Sequence, residues 1–118
     1  MDREMNTRTD AHPMRDLLKR LPLLPTTVRQ EIDFPAADVS LLVAIGDDAQ
    51  TTIQVIHHGI ASIGMLLAHS AVIIEDGTVG SRDVESLGDL IAELGYMAAS
   101  LMTLSAKCRQ QTYDFTPE

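Results

Sequence analysis

The feature that most constrains this fold is an apolar repeat with a period of seven residues in the last third of the chain. Apolar or small side chains recur there at alternating steps of three and four residues, which places them on one face of an α-helix. A seam of this kind packs against a second helix at a shallow angle of about 20°. We therefore expect a helix over about residues 82–110, with its seam formed by Val84, Leu87, Ile91, Leu94, Ala98, Leu101, Ser105 and Cys108.

A second apolar stripe precedes the first and predicts a helix over about residues 48–74. Asp47 and Gln50 have the spacing of a capping box, which favours a helix start at that point. Gly77 suits the left-handed position that follows a helix end. The stripe consists of Ile53, Ile56, Ile60, Ile63, Leu67, Ala71 and Ile74.

The connection between the two predicted helices is short, which favours an antiparallel hairpin and an all-α fold. Small residues beside both stripes, such as Gly64 and Gly95, indicate a close approach of the two helices. Antiparallel packing also predicts that Asp47 and Asp48 lie beside Lys107 and Arg109.

Both helices carry more apolar side chains than one seam can bury. Soluble monomers rarely expose an apolar patch larger than a few hundred Å². We therefore expect two hairpins to join as a homodimer in a four-helix bundle, although the N-terminal segment could cover part of this surface instead. The surplus side chains are Val55, Met65, Leu66, Val72, Ile73, Leu90, Met97 and Leu104.

Charge divides the chain near Pro35. Residues 1–34 hold six basic and six acidic residues, and we expect them to form a flexible or weakly structured arm with about two helical turns at Met14–Leu24. Residues 35–118 carry the whole net charge of −8 and form the expected hairpin domain. Residues 36–46 are either a short strand or a backward extension of the first helix. Gly46 and the two aspartates after it predict a break, so a separate short element is expected.

Composition excludes several classes of function. The net charge of −8 and the absence of tryptophan argue against a protein that binds nucleic acid. The nearly apolar stretch Gly59–Ile74 is about 16 residues long, shorter than the roughly 20 that a membrane span needs. Cys108 is the only cysteine, and the charged N-terminus does not resemble a signal peptide. A cytoplasmic protein without a membrane or nucleic-acid partner is expected.

No catalytic, metal or cofactor motif stands out. The spacing of the histidines matches no common zinc or di-iron pattern, and Cys108 lies at a core position of the second helix. We therefore predict no enzyme activity and no cofactor. The dense acidic group around the turn could receive a basic protein partner or simply aid solubility; it comprises Glu75, Asp76, Asp83 and Glu85.

The stretch Leu41–Ala106 resembles a group of short, uncharacterised proteobacterial helical-hairpin proteins, classed as a domain of unknown function. The segment LLVAIGDDA and the pattern LGDLIAELGYMAASL carry this resemblance. The second pattern keeps only Tyr96 of the aromatic residues expected in that group. The resemblance implies a small helical oligomer and assigns no site residues.

These observations favour a non-catalytic interaction or regulatory module that acts as a small acidic helical dimer. One alternative is a ligand- or cofactor-binding bundle, or a small enzyme, with a site at the subunit interface formed by His57, His58 or His69 with Glu93. Another is a secretion cargo or chaperone. The residues expected to form the seam or the oligomer interface are Ile53, Ile56, Ile60, Ile63, Leu67, Leu87, Ile91, Leu94 and Leu101.

Overall fold

A computed structural model describes residues 12–113 and confirms that this part of the chain is all-α. Its regular elements are α1 (Pro13–Arg20), a 3₁₀ turn (Leu21–Leu23), α2 (Val39–His69), α3 (Ala71–Glu75) and α4 (Ser81–Thr112). Across residues 12–113 the only extended pairing is an isolated antiparallel bridge between Thr26 and Ile32. Residues 1–11 and 114–118 lie outside the described residues. The disorder predicted for residues 1–11 therefore stays a prediction.

The first long helix starts nine residues earlier than the predicted residue 48. α2 begins at Val39 after Asp38, and it runs through Gly46 without interruption. The prediction of a break and a separate element over 36–46 is therefore wrong, and so is the capping box at Asp47. A Cβ atom placed on Gly46 would lie 3.5 Å from the Cβ of Cys108. Gly46 therefore lies inside α2 and faces Cys108 of α4 rather than ending a helix.

The far end of α2 also differs from the prediction. α2 stops at His69, and the backbone amide of Ser70 donates to the carbonyl of Leu67 instead of continuing the α-helical pattern. The chain then resumes as the short helix α3. Gly77 follows with a φ angle of +82°, which confirms its predicted left-handed conformation.

α2 and α4 pack against each other, with the start of α2 beside the end of α4. The buried side chains of this pair lie within residues 42–56 of α2 and 98–108 of α4. We call this end of the two helices the proximal half. We call residues 57–97 the distal half, and none of them is buried.

The small residues of the distal half do not bring the two helices together. A Cβ atom added at Gly59, Gly64, Gly88 or Gly95 would meet no atom within 4 Å, apart from the helix's own backbone and the adjacent residues. The prediction of close backbone approach at these glycines is therefore wrong. Branched and long apolar side chains form the seam instead, and the glycines face outward.

Residues 13–34 form a layer over the proximal half, which we call the N-terminal layer. α1 packs against α2, and its Leu17 is buried, as is Leu24 just after the 3₁₀ turn. The guanidinium of Arg20 pairs with the carboxylate of Asp48 in α2. The two helical turns expected within Met14–Leu24 are thus present as α1, and leucines at helical spacing give α1 a face that joins the core.

Replacing Leu17 with alanine tests whether this layer belongs to the folded unit. Loss of a buried leucine side chain should lower the free energy of unfolding by about 3 kcal/mol. The matched variant Leu18→Ala alters a side chain that is 65% exposed and should change it by less than about 0.5 kcal/mol. Thermal unfolding followed by circular dichroism measures both. Equal effects of the two variants would show that α1 does not contribute to the core.

Candidate interaction surface

The predicted seam residues divide into two groups along the helices. Ile53, Ile56 and Leu101 lie in the proximal half and are buried. The other six are only half-buried, because a single neighbouring helix covers them and no third element within residues 12–113 packs on top of the distal half. These six are Ile60, Ile63, Leu67, Leu87, Ile91 and Leu94.

Large apolar side chains outside the seam are exposed on α2, α3 and α4. This finding confirms the expectation that the two long helices carry more apolar surface than they bury against each other. Leu66 is 66% exposed and Val72 71% exposed, values typical of surface residues. The set comprises Val55, Met65, Leu66, Val72, Ile73, Leu90, Tyr96, Met97 and Met102. Most members of this set lie in the distal half, which therefore exposes many large apolar side chains to solvent.

The four acidic residues around the turn are all exposed, and we call them the acidic tip: Glu75, Asp76, Asp83 and Glu85. Asp76 also accepts hydrogen bonds within the acidic tip. Its Oδ1 accepts hydrogen bonds from the backbone amide of Thr78 at 2.9 Å and from the Thr78 hydroxyl at 2.6 Å. These hydrogen bonds stabilise the carboxylate and lower the pKa of Asp76 below its ordinary value.

The helix-end charges predicted to lie together do so only in part, since Asp47 and Arg109 line one cleft whereas Asp48 and Lys107 make other contacts. Asp48 pairs with Arg20 of the N-terminal layer and not with Lys107 or Arg109. The ammonium group of Lys107 lies 5.7 Å from the ring centre of Phe34, a cation–π distance. Sequence periodicity could not reveal these contacts, because they join segments that are far apart in the chain.

The histidines and Glu93, considered as a possible interfacial ligand site, are exposed and separate. Within the part of the chain that the structure describes, no three His, Cys, Asp or Glu side chains come together in a group that could hold a metal ion. Cys108 is buried, and this burial raises the pKa of its thiol. A raised pKa disfavours the thiolate form that nucleophilic chemistry requires.

α2 and α4 are each long and apolar enough to cross a membrane when length and composition alone are considered. Their most apolar windows have a mean hydropathy of 1.2, and 17% and 11% of these windows is buried. Such helices also occur in proteins that are not embedded in membranes. Asp89 and Glu93 are exposed on α4, and an aspartate at the centre of a membrane helix costs about 2.5–3.5 kcal/mol.

The hydrogen bonds at the tip predict how Asp76 responds to pH. Because folding lowers the pKa of Asp76, its stabilising contribution is present above the unfolded-state pKa and is lost as the pH falls through the folded-state value. Thr78→Val removes one donor and should raise the pKa of Asp76 toward 3.8. Carboxyl carbon NMR titration measures this shift, and Thr103→Val serves as a control that leaves the tip intact. An unchanged pKa in Thr78→Val would contradict the assignment.

Comparisons with known proteins give no relative for this chain. No protein-family model, curated protein or solved structure matches it. The resemblance of Leu41–Ala106 to short helical-hairpin proteins therefore stays a prediction, and functional arguments depend on the surface described above.

Proposed function

We propose that this protein is a non-catalytic interaction module that works as a homodimer, in which two α2–α4 hairpins pair in a four-helix bundle. One observation carries the proposal: none of residues 57–97 is buried, although this half holds many large apolar side chains. Burial of one leucine-sized side chain contributes about 1.5–3 kcal/mol. Pairing of two such surfaces therefore offers a large gain in free energy.

The pattern of charge supports pairing through the sides of the hairpin rather than through the back of α4. Asp89, Glu93 and the half-polar Tyr96 are exposed on α4, and the helical period places Asp89 and Tyr96 opposite its seam with α2. In contrast, the 26 residues of the segment 49–74 contain no Asp, Glu, Lys or Arg. A partner helix placed beside this segment would meet no charge that it would have to desolvate.

Support for a non-catalytic role comes from the state of the reactive side chains. The pKa of the buried Cys108 thiol is raised, and His57, His58 and His69 are exposed to solvent. A ligand- or cofactor-binding bundle would need the partner subunit to complete its site. Analysis of metal content and absorption spectrum in untagged protein tests this alternative, since stoichiometric metal or cofactor would contradict our proposal.

Solution mass measured over a dilution series tests the proposed dimer. We expect a species of twice the 12.9 kDa chain mass at micromolar concentration, dissociating only on strong dilution. Sedimentation equilibrium or light scattering gives the mass directly. A chain that stays monomeric at high micromolar concentration, and that binds no dye specific for exposed apolar surface, would contradict the proposal.

A further inference from the structure

We infer that two copies of this chain pair in antiparallel orientation through the face of the hairpin on which the N-terminal layer sits. This inference rests on the proposed dimer and specifies which of its faces is used. We call this side of the hairpin the layer face. Its proximal half is covered by the layer of the same chain, and its distal half is where the second copy would bind.

On α2 the layer face is a column of residues seven positions apart. Ile45 and Thr52 are the first two members, and both are completely buried, while α1 packs against α2 and pairs its Arg20 with Asp48, which lies between them in the sequence. The same column continues through Gly59 to Leu66 and Ile73, which are 66% and 44% exposed. Residues seven apart share one side of a helix in a bundle. This column is thus buried at Ile45 and Thr52 and exposed at Leu66 and Ile73.

α4 repeats this arrangement on the same side of the hairpin. Leu104 is half-buried and lines one groove together with Phe34 of the N-terminal layer. Met97 and Leu90 follow at seven-residue steps toward the tip and are 43% and 50% exposed. Leu66, Ile73, Leu90 and Met97 therefore continue, without cover, the two columns that the N-terminal layer already buries.

The opposite side of the hairpin has a different character, and we call it the small-residue face. Its proximal end is a cleft lined by Gln50 of α2 and Arg109 of α4. Seven-residue steps toward the tip lead from Gln50 through His57 to Gly64, and from Arg109 through the exposed Met102 to Gly95. Most side chains on this face are small, including Ala61, Gly64, Ala68, Gly88, Ala92, Gly95 and Ala99. Burial of such residues removes little apolar area from water, so the layer face offers the larger gain.

The shape of the layer face selects the antiparallel orientation. The N-terminal layer stands about one helix diameter, roughly 10 Å, above the bare distal half. In a parallel pair the two layers would collide and would keep the distal halves apart. In an antiparallel pair the distal half of each copy lies against the distal half of the other copy. Each distal half then occupies the lower surface next to the partner's N-terminal layer. This orientation also separates the two acidic tips and brings each of them toward the partner's α1, where Arg15 and Lys19 are exposed.

The size of the bare surface is sufficient for a second copy. From Val55 to Ile73 it extends about 27 Å at 1.5 Å per residue, and two adjacent helices are about 20 Å wide. The pair would bury roughly 1,000 Å² in total, which is at the lower limit of specific interfaces. The segments 1–11 and 114–118 contain three large apolar residues, Met1, Met5 and Phe115, too few to cover this surface.

The inference is tested with two double variants of the full chain that add the same charges to opposite faces. Leu66→Glu with Leu90→Glu places carboxylates on the layer face, and Ala68→Glu with Ala92→Glu places them on the small-residue face. All four positions are exposed, so the fold of a single chain tolerates each change. We expect the layer-face variant to raise the dimer dissociation constant at least 100-fold and the control to change it less than about threefold. Helix content measured by circular dichroism verifies that both remain folded.

The outcomes separate this inference from the proposed function. If the natural chain is a dimer and only the small-residue variant dissociates, or neither does, the dimer stands and the layer-face assignment is overturned. If the natural chain is monomeric, the proposed function fails together with the inference. Flotation with anionic lipid vesicles is measured in parallel. Membrane binding that is lost only in the layer-face variant would assign this face to a bilayer and would also overturn the inference.

A distance measurement tests the orientation independently. Ser81→Cys, made in a Cys108→Ala background, carries a spin label beside the exposed tip. Antiparallel pairing predicts a label-to-label distance of roughly 35 Å from the helical rise. A parallel pair would bring the two labels within about 20 Å and would overturn the orientation that we infer.

Discussion

Everything in this fold depends on the fact that two helices packed side by side share only one seam. Each helix buries one stripe, and the sides to the left and right of that stripe stay open unless another element covers them. In the proximal half the N-terminal layer covers one of these sides, and side chains such as Ile45 and Thr52 become completely buried. In the distal half no such layer follows, and seam residues as apolar as Ile63 and Leu67 reach only partial burial.

Periodicity in the sequence is sufficient to predict that two long helices exist, although not where the first one begins and ends, because a repeat of three and four residues reports directly on one helix face. It failed at Gly46, where the glycine and two aspartates have the composition of a helix break. Within α2, Gly46 faces Cys108 of α4, which is 62 positions further along the chain, and local composition carries no signal of this neighbour. The same limit applies at Gly64 and Gly95, where small size predicts a close contact but the surroundings are open.

The N-terminal layer shows a second limit of reasoning from the sequence. The prolines and the balanced charge of residues 1–34 suggested a weakly structured arm, and α1 is indeed only eight residues long. What holds it is tertiary: Leu17 and Leu24 enter the core, and Arg20 reaches Asp48. A pairing between residues 28 positions apart has no period, so only the folded chain reveals it. This layer covers the proximal half of the α2–α4 pair and leaves the distal half bare.

The positions of the acidic residues in the covered and bare halves also affect how two copies can pair. The distal half holds six acidic residues and one basic residue, and all seven lie after residue 74. Charge is thereby concentrated at the tip and on exposed positions of α4, while apolar surface is concentrated on the sides of the hairpin. Repulsion between two acidic tips disfavours side-by-side alignment of copies in the same direction, and the step formed by the N-terminal layer disfavours it sterically. Two independent properties of one chain, its shape and its charge, therefore favour the same antiparallel arrangement, although neither was needed to build the proximal core.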